Sequence, residues 1–381
     1  MSAPVIALVA GEASGDLLGA HLVAALTARR PDIQFTGIAG PRMIAAGVSA
    51  LFPMEKLAVR GYVEVLKHYL EIVSIRRRLK QHLLAQPPAV FIGIDAPDFN
   101  LDLERALKSA GIPVIHYVSP SIWAWRGERI HKIKQAVDRV LTLFPFESEI
   151  YNKAGVAVSY VGHPLADMLH GYASMREVRA RLALSDDAPV VALLPGSRVS
   201  ELQNMAHLFV ASARRIAAAA PAVKFVVPLV NRETRAIFEN ALASAGHIDM
   251  LILNGNAHDA IAAADVVLVA SGTATLETAL LQRPMVITYR MPRLSWWMMN
   301  PRRYQPYVGL PNILAGEFVV PEFLQDAATA ENLAQAVLDL LHDAPRRERI
   351  RRRFADMLTD LRQNTTQKAA DAVMPYLDKR V

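Results

Sequence analysis

Two carboxylates follow a short apolar run in VFIGIDAPDFN, residues 90–100, where a buried strand is expected to end. Asp95 comes directly after the run, Pro97 suits the first turn of a helix, and Asp98 comes next. A carboxylate that a strand delivers into a cleft can act as a general base, because burial raises its pKa toward neutrality. The alternative interpretation is that Asp95 or Asp98 caps the helix that follows.

Another acidic residue lies in a glycine turn near the start of the sequence. In LVAGEASGDLLG, residues 8–19, an apolar run ends at Gly11, and Glu12 precedes Gly15 and a helical pattern. A strand, a glycine turn and a helix often bind phosphate through free N–H groups and the helix dipole. The spacing is neither GxGxxG nor GxxxxGK[ST], and the charge of Glu12 is unsuited to an anion.

Two later strand ends carry residues suited to phosphate. LLPGSRVSEL, residues 193–202, places Arg198 beside a Pro-Gly turn and a helix start, for which Ser200 is a candidate N-cap. In ASGTATLETAL, residues 270–280, small residues let a diphosphate approach the backbone, and Glu277 lies one turn into the helix, near enough for ribose hydroxyls. The alternative interpretations are that Arg198 is an exposed loop residue and that Glu277 is a solvated charge on the helix face. The small residues of the two turns are Ser197, Ser271, Gly272 and Thr273.

Aromatic and basic residues alternate in two further segments. VIHYVSPSIWAWRGERIHKIK, residues 114–134, follows a strand, and its tryptophans could stack on a sugar or fill the core. Its polar and aromatic candidates are His116, Ser119, Ser121, Trp123 and Trp125. Residues 289–316 include Trp296, Trp297 and Asn312, and their mixture of arginines and aromatics is typical of a lid or a membrane-facing rim.

An apolar stripe at helical spacing runs through residues 57–84 and ends in a basic cluster at 76–80. Such a stripe is usually the core-facing surface of a helix. Its width and the basic cluster also fit a helix that lies in a membrane interface. The residues expected to make that contact are Val63, Val65, Leu66, Tyr69, Ile72 and Val73. A second basic run at 345–354 indicates a solvated helix face, or a phosphate or membrane contact.

Composition sets the broad class of protein. The 381 residues exceed one comfortable core, which favours two domains, and 52% apolar with 20% charged residues is an ordinary globular balance. The absence of cysteine excludes disulfides and thiolate metal sites and favours a reducing compartment. The net charge of +6 suits an anionic partner such as nucleic acid, phospholipid or a phosphorylated substrate, although it can serve solubility alone.

Targeting and metal signals are absent from the sequence. No uninterrupted apolar stretch reaches roughly 18 residues, so we expect no membrane span. The apolar run near the start is short and has no basic flank, which indicates a buried strand rather than a signal peptide. No DxD, HExxH or cysteine pair occurs, so no metal site is expected.

Short apolar runs alternate with helical patterns, which predicts parallel α/β units. Near-continuous apolar runs are typical of strands covered on both faces. The expected strands are 4–10, 33–39, 89–95, 112–118, 138–144 and 158–161, then 188–198, 223–230, 248–254, 265–272 and 284–290. We therefore expect two doubly wound Rossmann-like domains that face a cleft, over 1–168 and 169–344. C-terminal helices over 345–381 are expected to pack on the N-terminal domain or on a partner subunit.

Eleven blocks of the sequence, taken in order, resemble those of the lipid A disaccharide synthase family, inverting sugar transferases of Gram-negative bacteria. The blocks are ALVAGEASGDLLGA, GIAGPRM, LAVRGYVEVL, FIGIDAPDFN, IHYVSPSIWAWR, YVGHPLAD, LLPGSR, VPLVN, ASGTATLE, YRM and LPNILAG. They run from residue 7 to residue 316. A single block such as LPGSR is a modest signal, and the specificity of the resemblance comes from the occurrence of all eleven blocks in order. The resemblance implies the GT-B architecture, with the acceptor in the N-terminal domain and the UDP-sugar donor in the C-terminal domain.

The family's reaction joins UDP-2,3-diacylglucosamine to 2,3-diacylglucosamine 1-phosphate, giving a β-1,6-linked disaccharide 1-phosphate and UDP. The resemblance implies that Asp95 is the general base, with Glu12 as the contender. It also implies a site without cofactor or metal, in an enzyme peripheral to the cytoplasmic face of the inner membrane, with no nucleic acid partner. Helical tails of this kind can exchange between subunits, which allows a homodimer.

The implied binding residues fall into two groups. The expected acceptor-binding residues are Gly11, Ser14, Gly15, Asp98, Ser119 and Trp125. The glycines of the first turn would let an acceptor sugar come close to the backbone, and Glu12 would orient or deprotonate its hydroxyl. The expected donor-binding residues are Arg198, Ser197, Ser271, Gly272, Thr273, Glu277 and Asn312. Arg198 could serve either the diphosphate of the donor or the 1-phosphate of the acceptor.

Two other functions compete with this interpretation. Another GT-B enzyme of UDP-N-acetylglucosamine, a 2-epimerase or a lipid-linked cell-wall transferase, would share the fold, but an epimerase has no need of a membrane helix. A non-catalytic nucleotide-sugar or lipid-binding protein would share the pockets, but its carboxylates would be poorly placed for catalysis.

Overall fold

The computed structural model of the protein describes residues 3–57, 62–124, 126–246, 248–291 and 304–377, without the side chains of residues 62–68. The chain divides into two units, each with its own parallel sheet and its own apolar core. Unit one comprises Met1–Asp167 and Leu361–Val381, and unit two comprises Met168–Asp360.

The sheet of unit one has seven parallel strands flanked by helices. The strands are β1 (Val5–Ala10), β2 (Gln34–Ala39), β3 (Val48–Pro53), β4 (Val90–Ile94), β5 (Val114–Tyr117), β6 (Arg139–Thr142) and β7 (Val158–Tyr160). The helices are α1 (Ala13–Arg29), α2 (Pro41–Ala45), α3 (Tyr62–Ala85), α4 (Pro97–Ser109), α5 (Arg129–Ala136), α6 (Glu147–Ala154) and α7 (Pro164–Leu169). The strand order is β3-β2-β1-β4-β5-β6-β7.

The sheet of unit two has six parallel strands in the order β10-β9-β8-β11-β12-β13, where β8 is Val190–Leu194, β9 Lys224–Leu229, β10 Met250–Asn254, β11 Val266–Ala270, β12 Met285–Tyr289 and β13 Glu322–Leu324. Its helices are α8 (Met175–Arg181), α9 (Val199–Ala219), α10 (Arg232–Ala245), α11 (Ala257–Ala263), α12 (Thr273–Leu280), α13 (Leu310–Ala315), α14 (Ala330–His342) and α15 (Ala344–Leu361). Single 3-10 turns lie at Met54–Lys56, Gln325–Ala327 and Met374–Tyr376.

The prediction of a doubly wound α/β fold is confirmed within each unit, and all eleven predicted strands are present. Two strands were missed, β3 and β13, and each lies at an edge of its sheet. An edge strand has one neighbour and is only partly covered, so its sequence need not be continuously apolar. Strand β3 alternates between buried, half-buried and exposed positions, and β13 has only three residues, all half-buried.

Each sheet reverses its strand order once, and the sequence motifs lie at these reversals. In unit one, β1 and β4 are neighbours, and the chain continues from them toward opposite edges. In unit two, β8 and β11 have the same relationship. Helices that leave such a pair diverge to opposite faces, which opens a crevice at the carboxyl ends of the strands. The turns after β1 and β4 carry Glu12 and Asp95, and those after β8 and β11 carry Arg198 and Ser271.

The C-terminal segment, predicted as one group of helices over 345–381, is divided between the units. Helix α15 carries the arginine run, and its Ile350, Phe354 and Met357 belong to the core of unit two. Helix α16 (Thr365–Val373) and Leu377 contribute instead to the core of unit one. The burial of apolar side chains therefore determines where the segment divides. The basic composition of α15 does not indicate this division.

The aspartate of the first glycine turn caps a neighbouring helix. Helix α2 begins after Gly40, which has no side chain to satisfy the first N–H groups of the helix. The buried carboxylate of Asp16 accepts those bonds, from Arg42 N at 2.9 Å and Met43 N at 3.0 Å. A Cβ at Gly40 would lie 2.5 Å from Asp16 Cγ, so the glycine is needed for this approach.

We expect Asp16→Ala to lower the free energy of unfolding of unit one by about 1–3 kcal/mol, because one buried and one part-buried N–H group lose their acceptor. Urea unfolding followed by circular dichroism measures this loss. Asp32→Ala is the matched control, since Asp32 is exposed and its ion pair with Arg30 contributes about 0–1 kcal/mol. Equal losses in the two variants would contradict a capping role for Asp16.

Candidate active site

The turn after β4 holds Asp95 in an unusual backbone conformation. Asp95 and Ala96 have φ of 51° and 44°, in the left-handed region that residues with a Cβ rarely adopt. Asp95 N donates a hydrogen bond to Tyr117 O at 2.8 Å, and the Asn100 side-chain amide donates to Asp95 O at 2.8 Å. Backbone strain of this kind is found at functional sites, where the surrounding bonds hold it.

The turn after β1 packs directly against the turn after β4. Strands β1 and β4 are paired in parallel with Ala10 opposite Ile94, so Gly11 and Asp95 follow at the same level. A Cβ on Gly11 would lie 2.8 Å from Ala96 Cβ, and one on Gly15 would lie 3.4–3.5 Å from atoms of Ala10 and Ile94. The absence of a Cβ at Gly11 therefore serves the packing of the two turns, and the approach of a sugar to these glycines stays a prediction.

The close approach of these turns couples the two candidate bases electrostatically. Burial raises the pKa of Asp95, the charge of His116 lowers it, and the charge of Glu12 raises it again. The N–H of Ala96 lowers it by a hydrogen bond. The net effect is a raised pKa, which is the direction needed for a carboxylate to act as a base near neutral pH.

A cavity of about 320 Å³ opens beside Asp95. Its lining residues are Asp95, Pro97, Asp98, Val118, Ser119, Pro120, Ser121, Ile122, Arg126 and Arg129. Asp98 does not cap α4, and its exposed carboxylate accepts a hydrogen bond from Arg129 Nη2 at 2.7 Å. Val118 and Arg126 also have positive φ, of 78° and 54°, so strained backbone lines the cavity on more than one side.

Buried polar side chains lie beneath the loop that follows β5. Ser119 Oγ lies 2.8 Å from Tyr151 Oη, and Trp123 Nε1 donates to Glu147 Oε1 at 3.1 Å. The Trp123 ring packs edge-on against Phe146, with centroids 5.4 Å apart, so this tryptophan anchors the loop. Trp125, the other predicted sugar-stacking residue, lies outside the described residues.

Ser14, predicted to bind the acceptor, lies in the first turn of α1 and is exposed. The cavity lining comes instead from the turns after β4 and β5. Of the predicted acceptor residues, Asp98 and Ser119 therefore share the cavity with Asp95.

In unit two, an internal carboxylate occupies the turn after β8. Arg198, rather than Ser200, is the N-cap of α9. Glu201 Oε2 accepts hydrogen bonds from Ser197 N at 2.9 Å and Arg198 N at 3.2 Å, and its Oε1 accepts one from Arg198 Nη1 at 2.7 Å. The N–H groups expected to hold a phosphate are thus already bound to an anion. The Ser197 hydroxyl and the other guanidinium nitrogens of Arg198 make none of these bonds.

The turn after β11 is better suited to an anion. Gly272 is the N-cap of α12, with φ of 156°, and Thr273 begins the helix. A Cβ at Gly272 would meet nothing within 4 Å, so the approach to the helix N-terminus is open. Ser271 Oγ lies 3.5 Å from Val308 O, a long contact. This turn therefore supplies N–H groups at a helix start, as the sequence predicted.

Two predicted donor ligands of unit two are engaged within the protein. Glu277 Oε2 lies 3.3 Å from His258 Nε2, and this hydrogen bond raises the pKa of the imidazole. Asn312 is fully buried, and its amide bonds to Val320 N, Val320 O and Glu322 Oε1 at 2.8–3.1 Å. For Asn312 to bind a donor directly, these bonds would have to break; in this structure it ties α13 to the strand β13.

The helix predicted to contact a membrane is only partly described. Side chains of Val63, Val65 and Leu66 lie outside the described residues, as do Trp296 and Trp297. Tyr69 is 56% exposed, and its neighbour Leu70 is 80% exposed. The other two predicted contacts, Ile72 and Val73, are half-buried, and Ile72 packs against the core of unit one.

The described residues include neither a metal-binding cluster nor a membrane-spanning helix. Within those ranges, no group of three or more histidine or acidic side chains could hold a metal ion. Among the helices described, none has both the length and the apolar character needed to cross a membrane.

Comparison with known proteins decides the family. A model of the lipid-A-disaccharide synthetase family matches residues 6–374. The chain belongs to this family. The lipid-A-disaccharide synthase of Methylobacillus flagellatus is 57% identical over 98% of this chain and 100% of its own length. That of Burkholderia thailandensis is 52% identical over 98% and 97%. The chain is thus a glycosyltransferase of lipid A biosynthesis, and the 2-epimerase alternative is not favoured.

Solved structures support the GT-B fold of this synthase. The calicheamicin glycosyltransferase CalG4 matches with a TM-score of 0.62 and 16% identity, covering 99% of each chain. The UDP-GlcNAc 2-epimerase of Neisseria meningitidis, solved with UDP-GlcNAc, matches with a TM-score of 0.62 and 13% identity, covering 99% and 100%. At these identities the likeness extends to the fold alone.

Three glutamates around the candidate sites were not identified from the sequence. They are Glu104, Glu147 and Glu201. Glu104 lies on the buried face of α4 among leucines, where one charged residue in an apolar stripe was the available signal. Glu201 lies three residues after Arg198, the spacing of a capping box, but the cap is an arginine rather than serine or threonine. Glu147 left no comparable pattern, because its partner Trp123 is 24 residues away.

Glu147 predicts a pH-dependent stability for the synthase. Burial raises its pKa to about 7, although bonds from Phe144 N, Ser119 and Trp123 lower it. The folded state therefore holds a proton more tightly than the unfolded chain. The resulting stabilisation is complete below the ordinary pKa of 4.5 and is lost as pH rises through about 7.

We expect the wild-type chain to lose about 2–3 kcal/mol more unfolding free energy between pH 5 and pH 8 than Glu147→Gln, which cannot titrate there. Denaturant unfolding of both proteins at the two pH values measures this difference. Parallel pH profiles would show that Glu147 titrates at its ordinary pKa.

Proposed function

We propose that Asp95 is the general base of this lipid-A-disaccharide synthase and that the cavity beside it binds the acceptor sugar. The observation that carries this proposal is the position of Asp95: a half-buried carboxylate on a strained turn, at the reversal of strand order, next to a cavity of about 320 Å³. The acceptor would be 2,3-diacylglucosamine 1-phosphate. Its 6-hydroxyl would lose its proton to Asp95 as the oxygen attacks the anomeric carbon of the donor.

Arginines of the same cavity fit the acceptor's phosphate. Arg126 and Arg129 line the cavity with Asp95, and guanidinium groups bind phosphate with two parallel hydrogen bonds. Arg129 is also held by Asp98, which fixes its direction. This arrangement favours Arg198 of unit two for the donor's diphosphate.

The donor UDP-2,3-diacylglucosamine would bind through the turn after β11. The N–H groups at the start of α12, with Ser271 and Thr273, supply positive potential to the diphosphate, which must carry the charge that develops as UDP leaves. Inversion at the anomeric carbon is the outcome of a single displacement, because the attacking oxygen forms its bond on the face opposite the departing diphosphate.

Glu12 has a supporting role in this proposal. Its charge raises the pKa of Asp95, and its turn is fixed against the turn of Asp95 by the Gly11 approach. The place of Asp95 in the cavity lining, which does not include Glu12, favours Asp95 as the base.

We expect Asp95→Asn to lower kcat by at least about 10²-fold, the lower range for removal of a general base. Asparagine tolerates the left-handed backbone of this turn, so the fold should persist, and UDP affinity should be unchanged because the donor residues lie in unit two. Glu12→Gln is the matched comparison, and we expect it to retain more activity. Product formation from radiolabelled donor, with UDP titration calorimetry, separates the two effects. A fully active Asp95→Asn enzyme would exclude this base.

We also propose that the exposed part of α3 docks the enzyme on the cytoplasmic face of the inner membrane, where its acylated substrates reside. Tyr69 and Leu70 are adjacent and largely exposed, and exposed Arg77, Arg78 and Lys80 follow on the same helix. Apolar side chains next to basic ones are typical of helices that bind anionic lipid.

We expect the double substitution Tyr69→Ser and Leu70→Ser to lower binding to anionic vesicles by about tenfold or more, since each buried apolar side chain contributes about 1.5–3 kcal/mol. Leu84→Ser, on the same helix and 38% exposed, is the control and should leave sedimentation with vesicles unchanged. If the double variant binds as wild type while remaining folded, this face does not contact lipid.

A further inference from the structure

A buried ionisable pair lies between α4 and β5. His116 Nδ1 and Glu104 Oε1 are 2.6 Å apart, and both side chains are fully buried. Removing two charged groups from water is costly, and the interaction between them often fails to repay the cost. An apolar pair would pack this space as well, so the pair needs an explanation beyond fold stability.

The surrounding structure is shaped to admit this pair. Gly93 of β4 lies opposite His116 in the parallel pairing with β5. A Cβ at Gly93 would lie 2.1 Å from Glu104 Oε1, so only glycine leaves room for the carboxylate. One turn earlier on the same face of α4, Asn100 holds the backbone oxygen of Asp95. Helix α4 thus binds the turn of Asp95 with one buried side chain and His116 with another.

Polar atoms in this region retain unused hydrogen-bonding capacity. His116 Nε2, Glu104 Oε2 and Asn100 Oδ1 are buried and have no hydrogen-bond partner among the residues that the structure describes. Native proteins satisfy most buried polar atoms, and three unsatisfied ones in one cluster are uncommon. Two of these atoms belong to the His116–Glu104 pair, and the third belongs to Asn100, whose amide donates to Asp95 O.

The charges in this cluster act on one another in a definite order. Burial disfavours the charged form of His116, but the charge and hydrogen bond of Glu104, the charge of Asp95 and the backbone of Val118 together raise its pKa. In turn, the charge of His116 lowers the pKa of Asp95, against burial and the charge of Glu12. The charge of His116 is therefore the largest influence that favours an ionised Asp95, and it acts against burial and the charge of Glu12.

We propose that Glu104 and His116 are positioning residues for the base: Glu104 keeps the imidazole of His116 protonated, and the imidazolium charge keeps the half-buried Asp95 carboxylate ionised and ready to accept a proton. This inference rests on the proposed role of Asp95. Neither residue touches substrate. The pair sets the pH above which Asp95 is available, while Asn100 and the left-handed turn set the position of Asp95.

The decisive variant is Glu104→Gln, which keeps an oxygen to accept the Nδ1 hydrogen bond but removes the anion that holds the proton on His116. We expect the acidic limb of the pH profile of kcat/KM to move upward by about one pH unit, the lower range for loss of a nearby opposite charge. Activity should fall about tenfold on that limb and approach the wild-type value at higher pH, with the acceptor KM unchanged. His116→Asn should move the limb in the same direction.

Folding and base assignment are controlled separately. His116→Asn leaves Glu104 as an unpaired buried anion, so the double variant Glu104→Gln, His116→Asn provides the folded comparison if the single variant unfolds. Glu149→Gln, on the exposed surface of α6, is the matched control and should leave the limb in place. Asp95→Asn is assayed alongside: if it is inactive and the limb does not move in Glu104→Gln, only the positioning role fails. If Asp95→Asn is active, the base assignment itself fails.

A measurement independent of activity completes the test. In ¹⁵N-histidine-labelled enzyme, the resonances of His116, assigned by their loss in the His116→Asn or double variant, should show an imidazolium at pH 7 in wild type and a neutral ring in Glu104→Gln. A neutral His116 in wild type at pH 7 would overturn the proposal. A uniform loss of activity at every pH in folded Glu104→Gln would also overturn it, because a structural role alone would produce that result.

Discussion

The approach of Gly11 to Ala96 is the contact on which the site of unit one depends. The parallel pairing of β1 with β4 brings the turns that follow them to one level, and the absence of a Cβ at Gly11 lets the second turn fold back against the first. Asp95 and Ala96 can then adopt a left-handed backbone, which places a carboxylate at the crevice where the strand order reverses. Any side chain at position 11 would separate the turns and move both candidate bases.

The ionisable groups around Asp95 in unit one form a series in which each group influences the charge of the next. Glu12 disfavours the ionised form of Asp95, His116 favours it, and Glu104 in turn favours the charged form of His116. An alternating series of this kind lets a carboxylate lie in a poorly solvated place and still ionise. Next to this series, the hydrogen bond from Trp123 Nε1 to Glu147 Oε1 fixes the loop that forms the other wall of the cavity.

The two units use the same topology for different chemistry. In unit one the glycines of the turn serve packing, and carboxylates face the crevice. In unit two the turn after β11 leaves open space at a helix N-terminus. The N–H groups of Ser197 and Arg198, in the turn after β8, instead donate hydrogen bonds to Glu201. A shared Rossmann-like framework thus provides acidic groups in one unit and N–H donors in the other, which is the division that a transfer from a nucleotide sugar to a hydroxyl requires.

The class of fold, the family and eleven of the thirteen strands in the described residues follow from the sequence, because buried parallel strands are continuously apolar and the family blocks follow one another in order. The sequence also indicates Asp95, Glu12, Arg198 and the turn at Ser271 as candidates. The roles of Gly11, Glu104 and Glu201 depend on the tertiary structure. Gly11 faces Ala96, Glu104 faces His116, and Glu201 faces the N–H groups of the turn after β8. The sequence does not indicate these partners, because neither a glycine nor a glutamate shows by its type which residue it will contact. Burial and pairing depend on three-dimensional neighbours, and those are set by the register of strands far apart in the chain.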